Sequence, residues 1–200
     1  MRIDIQRKSF GGSDVLGRLR LDIRRGQRIA VLGPSGVGKS TLLRIIAGLD
    51  RDFPGSVGGD ERLSVVFQEP TLLPWRRALD NITIPTGCDL ALASELLKRV
   101  GLQDQVDRFP RQMSLGQQRR LSLARAFAAR PDILLMDEPF ASLDPDTATR
   151  MIDLTGDLLD HSGAGLILVT HEAREPVRLA ARPLLLRGDP ATLHEDGKTI

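Results

Sequence analysis

The apolar run Arg28-Ile29-Ala30-Val31-Leu32 leads directly into Gly33-Pro34-Ser35-Gly36-Val37-Gly38-Lys39-Ser40-Thr41, and no other stretch constrains the fold so tightly. The string fits G-x-x-x-x-G-K-[ST] and lies between a strand-like run and a helix-like one, Thr41–Leu49. That is the context in which this pattern holds phosphate. Its glycines let backbone N–H groups turn inward around anionic oxygens, and the helix start at Ser40 and Thr41 adds its dipole. Lys39 would neutralise β- and γ-phosphate oxygens, and Ser40 would offer its hydroxyl to Mg²⁺. A loop of this kind requires a strand–turn–helix unit, so the chain is committed to an α/β fold. It does not choose among kinases, GTPases, motors and transport ATPases.

Further short apolar runs read as buried strands: Leu63–Phe67, Ile133–Met136, Leu166–Val169 and Leu184–Leu186. Near-continuous apolar runs suit a parallel sheet covered on both faces. Arg2–Gln6 and Leu19–Arg24 alternate apolar and polar side chains instead, which predicts strands with one wet face, paired antiparallel. Helices are predicted over Thr41–Leu49, Leu90–Val100, Gln117–Ala129 (ending before Pro131) and Ala148–Leu159. The order points to one domain over 1–200. Its α/β core spans about 1–70 and 131–188, a helical subdomain is inserted at about 71–130, and a loose tail without period covers 189–200.

Composition narrows the partners. Lys and Arg total 28 against 26 Asp and Glu, a net charge of +2, yet the isoelectric point is 9.1. With no Tyr, one Cys and three His, few groups titrate between about pH 7 and 10, so a small cationic excess carries the isoelectric point upward without creating a strong field. No basic arm is present, and nucleic acid is not called for. A single cysteine, Cys88, excludes an internal disulfide and suggests no structural zinc. No run reaches the roughly 18 apolar residues of a membrane span, and the N-terminus has no secretory h-region. These features predict a soluble, cytoplasmic chain.

Other chemistry-bearing residues fall at the ends of the predicted core strands, where α/β sheets gather their active groups. The run Ile133–Met136 ends in Asp137 and Glu138. Asp137 is placed to hold Mg²⁺, and Glu138 to polarise a water as general base. The run Leu166–Val169 ends in Thr170-His171-Glu172, and His171 would hydrogen-bond a γ-phosphate. Gln68 follows Leu63–Phe67 and offers an uncharged amide to Mg²⁺ or water.

Together these residues resemble, in order and over nearly the whole chain, the ATP-binding cassette (ABC) ATPases. GPSGVGKST resembles the family's Walker A and ILLMDEP its Walker B. Gln68 matches the Q-loop glutamine, Ser142-Leu143-Asp144 the D-loop, and His171 the switch histidine. Met113-Ser114-Leu115-Gly116-Gln117 stands where the family carries its LSGGQ signature, and Phe10 where an aromatic stacks on adenine. The resemblance implies a P-loop NTPase fold with a RecA-like parallel core, an N-terminal antiparallel part and an inserted helical subdomain. It implies ATP and Mg²⁺ as cofactors. Catalysis would involve Glu138, His171, Gln68 and Lys39, Mg²⁺ would be held by Ser40, Gln68 and Asp137, and ATP by Phe10 and the loop from Gly33 to Thr41. It further implies a head-to-tail dimer in which Ser114, Gly116 and Gln117 of one subunit face the ATP of the other, with Asp144 in the D-loop. Two departures stand out. Leu115 replaces the first signature glycine, and the stretch between Lys39 and Gln68 is short, as if a β-hairpin were lost.

Gln68-Glu69-Pro70-Thr71-Leu72-Leu73-Pro74-Trp75, followed by Leu79-Asp80-Asn81-Ile82, resembles the cassettes of bacterial nitrate, sulfonate and taurine importers. The only tryptophan, Trp75, either anchors an interface or is buried in the helical subdomain. An importer cassette implies transmembrane permease partners, an extracytoplasmic solute-binding protein, and a peripheral place on the cytoplasmic face of the cell membrane. A soluble non-transport cassette, for example in cofactor assembly, is the alternative. A P-loop kinase would need neither a signature helix nor His171.

Overall fold

The computed structural model describes residues 1–195 and 198–199. The loop-bearing strand Arg28–Leu32 is β5, flanked upstream by β1 (Arg2–Ile5), β2 (Lys8–Phe10), β3 (Ser13–Leu16) and β4 (Leu19–Asp22). Downstream come α1 (Lys39–Ile46), β6 (Gly55–Gly58) and β7 (Leu63–Val66), then the helices α2 (Ala78–Thr86), α3 (Leu90–Arg99) and α4 (Leu115–Ala128). The chain continues through β8 (Ile133–Asp137), α5 (Pro145–Ser162), β9 (Gly165–Thr170), α6 (Arg174–Arg178), β10 (Arg182–Gly188), β11 (Ala191–Glu195) and β12 (Lys198–Thr199).

Strands β10, β5, β9, β8 and β7 lie side by side and all parallel. The apolar runs are near-continuous because this sheet is covered on both faces. Ile29, Val31, Ile133, Leu135, Ile167, Val169, Leu184 and Leu186 point to one side, where α1 and the N-terminal strands pack. Ala30, Leu134, Met136, Leu166 and Leu168 point to the other, against the helical layer. Each of the larger of these fully buried side chains contributes about 1.5–3 kcal/mol. The alternating segments pair as expected: β1 lies antiparallel between β4 and β6. Between α1 and β7 only the single strand β6 is found.

The expected loose tail is a correction. Residues 191–195 form β11, which folds back antiparallel on β10 and runs parallel to β3. Ala191 and Leu193 are buried in the second core cluster, and Arg182 donates to Glu195 at 2.7 Å. Two alternating apolar residues are too short a signal for sequence to separate from a coil. The remainder of that tail lies partly outside the described residues.

Sequence reading also missed α2, whose apolar pattern is interrupted by Pro85, the five-residue α6, and the short strands β2, β3 and β6. Helix α4 begins two residues earlier than predicted, because Ser114 is its N-cap. Trp75 is not buried: it is 68% exposed. Cys88 is half-buried and packs at the edge of the helical core. Among the described residues, no helix is long and apolar enough to cross a membrane.

Candidate active site

The carboxyl ends of β5, β9, β8 and β7 open on one edge of the sheet, and the cleft there has a volume of about 470 Å³. It is lined by Phe10, Ser35, Gly36, Gly38, Lys39, Ser40, Thr41, Gln68, Asp137 and Glu138, together with Val15. Two loop glycines are required by geometry. Gly38 has φ +105°, and a Cβ there would lie 2.8 Å from Leu16 Cδ2. A Cβ on Gly33 would meet the Leu186 carbonyl oxygen at 2.6 Å.

Lys39 is the first residue of α1 and is only 4% exposed. Its Nζ donates to the carbonyls of Gly33 and Pro34, each at 2.9 Å, and pairs with Glu138 Oε1 at 3.3 Å. Ser40 Oγ donates to Asp137 Oδ1 at 3.0 Å. Burial pushes the Asp137 carboxyl above its ordinary range, opposed by the Ser40 hydrogen bond and reinforced by the neighbouring Glu138 charge.

Glu138 leaves β8 with φ +45°, a left-handed conformation uncommon for a residue with a side chain. Its N–H still donates to Val169 at 2.9 Å, so the bend comes immediately after pairing with β9 ends. That bend brings Glu138 Oε2 within 3.2 Å of His171 Nδ1. His171 Nε2 lies 3.7 Å from Glu172 Oε1. One carboxylate therefore sits between the loop lysine and the strand-end histidine. Phe10 is 52% exposed at the mouth of the cleft, with Lys8 Nζ 4.6 Å from its ring centroid.

The expected signature residues do not join this cleft. Ser114 and Gly116 line a separate one of about 440 Å³ with Arg99, Arg120, Thr147 and Arg150. Ser114 Oγ accepts from Gln117 N at 3.2 Å, and Gln117 Oε1 accepts from Ser114 N at 2.9 Å. This reciprocal cap leaves the serine at an exposed helix N-terminus. Asp144 caps α5 by accepting from Thr147 N at 3.0 Å, and that backbone bond, with the Thr147 hydroxyl, holds its carboxyl below the usual range. Leu115 turns away from both clefts and lines a third with Gln68, Pro70, Leu72, Pro74 and Gln118.

Sequence reading missed the residues that tie these clefts together. Arg119 on α4 donates to the Ala141 carbonyl at 2.7 Å, just beyond Glu138. Arg125, two turns on, donates to Thr71 O at 2.9 Å and Pro70 O at 3.1 Å, just beyond Gln68. Buried Asn81 holds the loop before α2 through Leu73, Arg76 and Arg77. An arginine-rich helix gives no sign from sequence of which carbonyls it will reach.

A family model described as ABC transporter matches residues 16–141. The chain is 44% identical over 188 residues to the aliphatic sulfonates import ATP-binding protein SsuB 1 of Streptomyces avermitilis, covering 93% of this chain and 72% of that protein. It is 46% identical over 191 residues to SsuB of Rhodopseudomonas palustris, covering 90% and 68%. Its fold superposes with a TM-score of 0.78, at 28% identity and 95% coverage of both chains, on an ATP-binding cassette solved as a dimer in a post-hydrolysis state with ADP and Pi bound. Matched along most of its length both by the family model and by these relatives, the chain belongs to the ABC transporter family, as one of its ATP-hydrolysing cassettes.

Proposed function

We propose that this chain is the ATP-hydrolysing subunit of an ABC importer, acting as a dimer on the cytoplasmic face of the cell membrane beneath permease subunits, with an extracytoplasmic solute-binding protein delivering the cargo. The names of the relatives direct the cargo proposal to aliphatic sulfonates; the choice itself belongs to the permease and binding protein. The observation that carries the reading is Glu138 held between Lys39 and His171 in the loop cleft.

ATP enters with its adenine against Phe10 and its phosphates on the N–H groups of the loop from Gly33 to Thr41. The γ-phosphate competes for the Lys39 ammonium, which exchanges two carbonyls and Glu138 for phosphate oxygens. That exchange releases Glu138 as the base for an attacking water. His171, now beside a freed carboxylate, hydrogen-bonds the γ-phosphate and holds the water in line. The donors Ser40 Oγ, Asp137 and Gln68 form an all-oxygen set, with the first two already 3.0 Å apart. They fit a hard divalent cation, and Mg²⁺ bound there would neutralise charge on the phosphate oxygens. Ser114 and Gly116 open on a different cleft from the loop, and with Gln117, which caps the same turn, they serve the ATP of a second subunit. Gln68 lines both the ATP cleft and the groove with Leu72 and Pro74, a shared wall through which ATP is felt where the permease docks beside exposed Trp75.

Glu138→Gln tests the assignment. It keeps ATP binding, lowers turnover by about 100-fold or more, and accumulates an ATP-dependent dimer seen by light scattering. Hydrolysis at the parent rate would remove Glu138 as the base. Co-purification with a polytopic membrane protein separates the transport reading from a soluble cassette.

A further inference from the structure

Lys8 is a buried cation with no part in the hydrolytic step. It is 3% exposed on β2, and burying an ammonium is costly unless its donors are met. Its Nζ donates to Asp50 Oδ1 at 3.0 Å and to the Asp52 carbonyl at 2.6 Å, with Asp52 Oδ2 at 3.6 Å. An ammonium has three N–H donors, so these two bonds leave one. Nζ lies over the Phe10 ring, 4.6 Å from its centroid, within the range of a cation–π contact. Lys8 and Phe10 stand two apart on β2, the spacing that puts side chains on one face of a strand.

The residues that grip this ammonium belong to the turn that ends α1. Leu49 N and Asp50 N both donate to the Arg44 carbonyl of that helix, at 2.9 and 3.2 Å. Asp50 Oδ1 also accepts from Asp52 N at 3.1 Å, which closes the turn around the carboxylate. Helix α1 begins with Lys39 and Ser40, so one end of it meets the phosphates and the other holds Lys8. Phe10 itself is 52% exposed, and packing alone leaves several staggered positions open to such a ring. The ammonium supplies a directional contact that selects among them.

We propose that Lys8 is a positioning residue for Phe10, holding the ring in the orientation that receives the nucleobase and tying it to the helix that carries the phosphate-binding residues. The base site and the phosphate site then share one frame before ATP arrives, which lowers the ordering cost of binding. The consequence is selectivity for a base-bearing nucleotide over a bare phosphate chain. The proposal rests on the reading of Phe10 against adenine given above.

The test compares two probes by calorimetry on the full chain, ATP and inorganic tripolyphosphate, which has no base. Phe10→Ala raises the Kd for ATP about tenfold. Lys8→Met, which keeps the stem and loses the cation, raises it about threefold. Both leave the Kd for tripolyphosphate and kcat at saturating ATP within about twofold of the parent. The double variant matches Phe10→Ala within about twofold, because Lys8 acts through the ring. Asp50→Ala releases the ammonium from its anchor and shifts ATP affinity in the same direction, which carries the test where Lys8→Met does not fold. A second readout needs no nucleotide. With fluorine-19-labelled phenylalanine, the Phe10 signal, one of six and assigned by its absence from Phe10→Ala, moves in Lys8→Met. Equal weakening of ATP and tripolyphosphate, effects that multiply in the double variant, or an unmoved Phe10 signal would each overturn the proposal. If Phe10→Ala binds ATP like the parent, the adenine reading fails, and the fluorine spectra still decide whether Lys8 positions the ring.

Discussion

Asn81→Leu should loosen one defined piece of the molecule, and its cost can be worked from the hydrogen bonds. Asn81 is fully buried on α2. Its Oδ1 accepts from Leu73 N at 2.7 Å, and its Nδ2 reaches the carbonyls of Leu73, Arg76 and Arg77 at 3.1, 3.0 and 3.1 Å. Leucine has similar bulk and none of these groups. The Leu73 N–H is then left unpaired, at about 1–3 kcal/mol, and the two amide hydrogens lost are worth about 0.5–1.5 kcal/mol each. The sum is about 4 kcal/mol, a large share of the roughly 5–15 kcal/mol that holds a domain together. At this chain length it lowers Tm by about 8–16 °C. The damage is local as well as global, because the tethered loop carries Trp75. As the only tryptophan, Trp75 reports it directly. Acrylamide quenching and fluorescence anisotropy should show a freer indole in the native variant, before the urea transition begins. ATP affinity should be unchanged, since Asn81 does not line the loop cleft. A loss below about 1 kcal/mol with unaltered quenching would refute the reasoning, and would mean that the loop is held by packing rather than by the amide.

Ser114→Ala removes the side-chain cap of α4 and should cost about 1 kcal/mol in urea unfolding. It should abolish the ATP-dependent dimer in light scattering while calorimetry finds unaltered ATP affinity in the single subunit, because Ser114 lies outside the loop cleft. Gly33→Ala places a Cβ 2.6 Å from the Leu186 carbonyl, which forces β5 and β10 apart. It should cost about 1–3 kcal/mol and raise the Kd for ATP, read by the same two assays.

What was legible in the sequence was what repeats or what is chemically rare. Buried parallel strands read as apolar runs, and β5 falls on Arg28–Leu32 as expected. The loop lysine Lys39 and the strand-end residues Asp137, Glu138 and Gln68 meet in one cleft, because strands with fixed neighbours deliver their carboxyl ends to one edge. Short elements were not legible. Strand β11 has two buried residues to announce it, and α6 has fewer residues than two helical turns. Side-chain reach was equally hidden. Nothing in LGQQRRLSLARAFA says that Arg119 will find Ala141 while Arg125 finds Thr71. The tolerance of Leu115 in place of a glycine is also a matter of direction. Its side chain lines the groove with Gln68 and Leu72, whereas Ser114 and Gly116 line the cleft with Thr147.

Helix α4 makes physical sense of this arrangement as a lever. Its N-terminus presents Ser114 outward, its first turns are bound through Arg119 to the segment after Glu138, and its later turns through Arg125 to the segment after Gln68. Both anchors are arginines whose guanidinium groups burial makes less basic, Arg119 and Arg125 alike. Releasing either would strand a desolvated charge, which makes the attachments stiff. The two attachments join the segments after β7 and β8 to the signature turn through one helix. The signature cleft and the loop cleft share no lining residue. On the dimer reading proposed above, ATP in the loop cleft would face the signature turn of a second subunit. The groove lined by Gln68 and Leu115 lies beside the same helix, which joins it to both attachments.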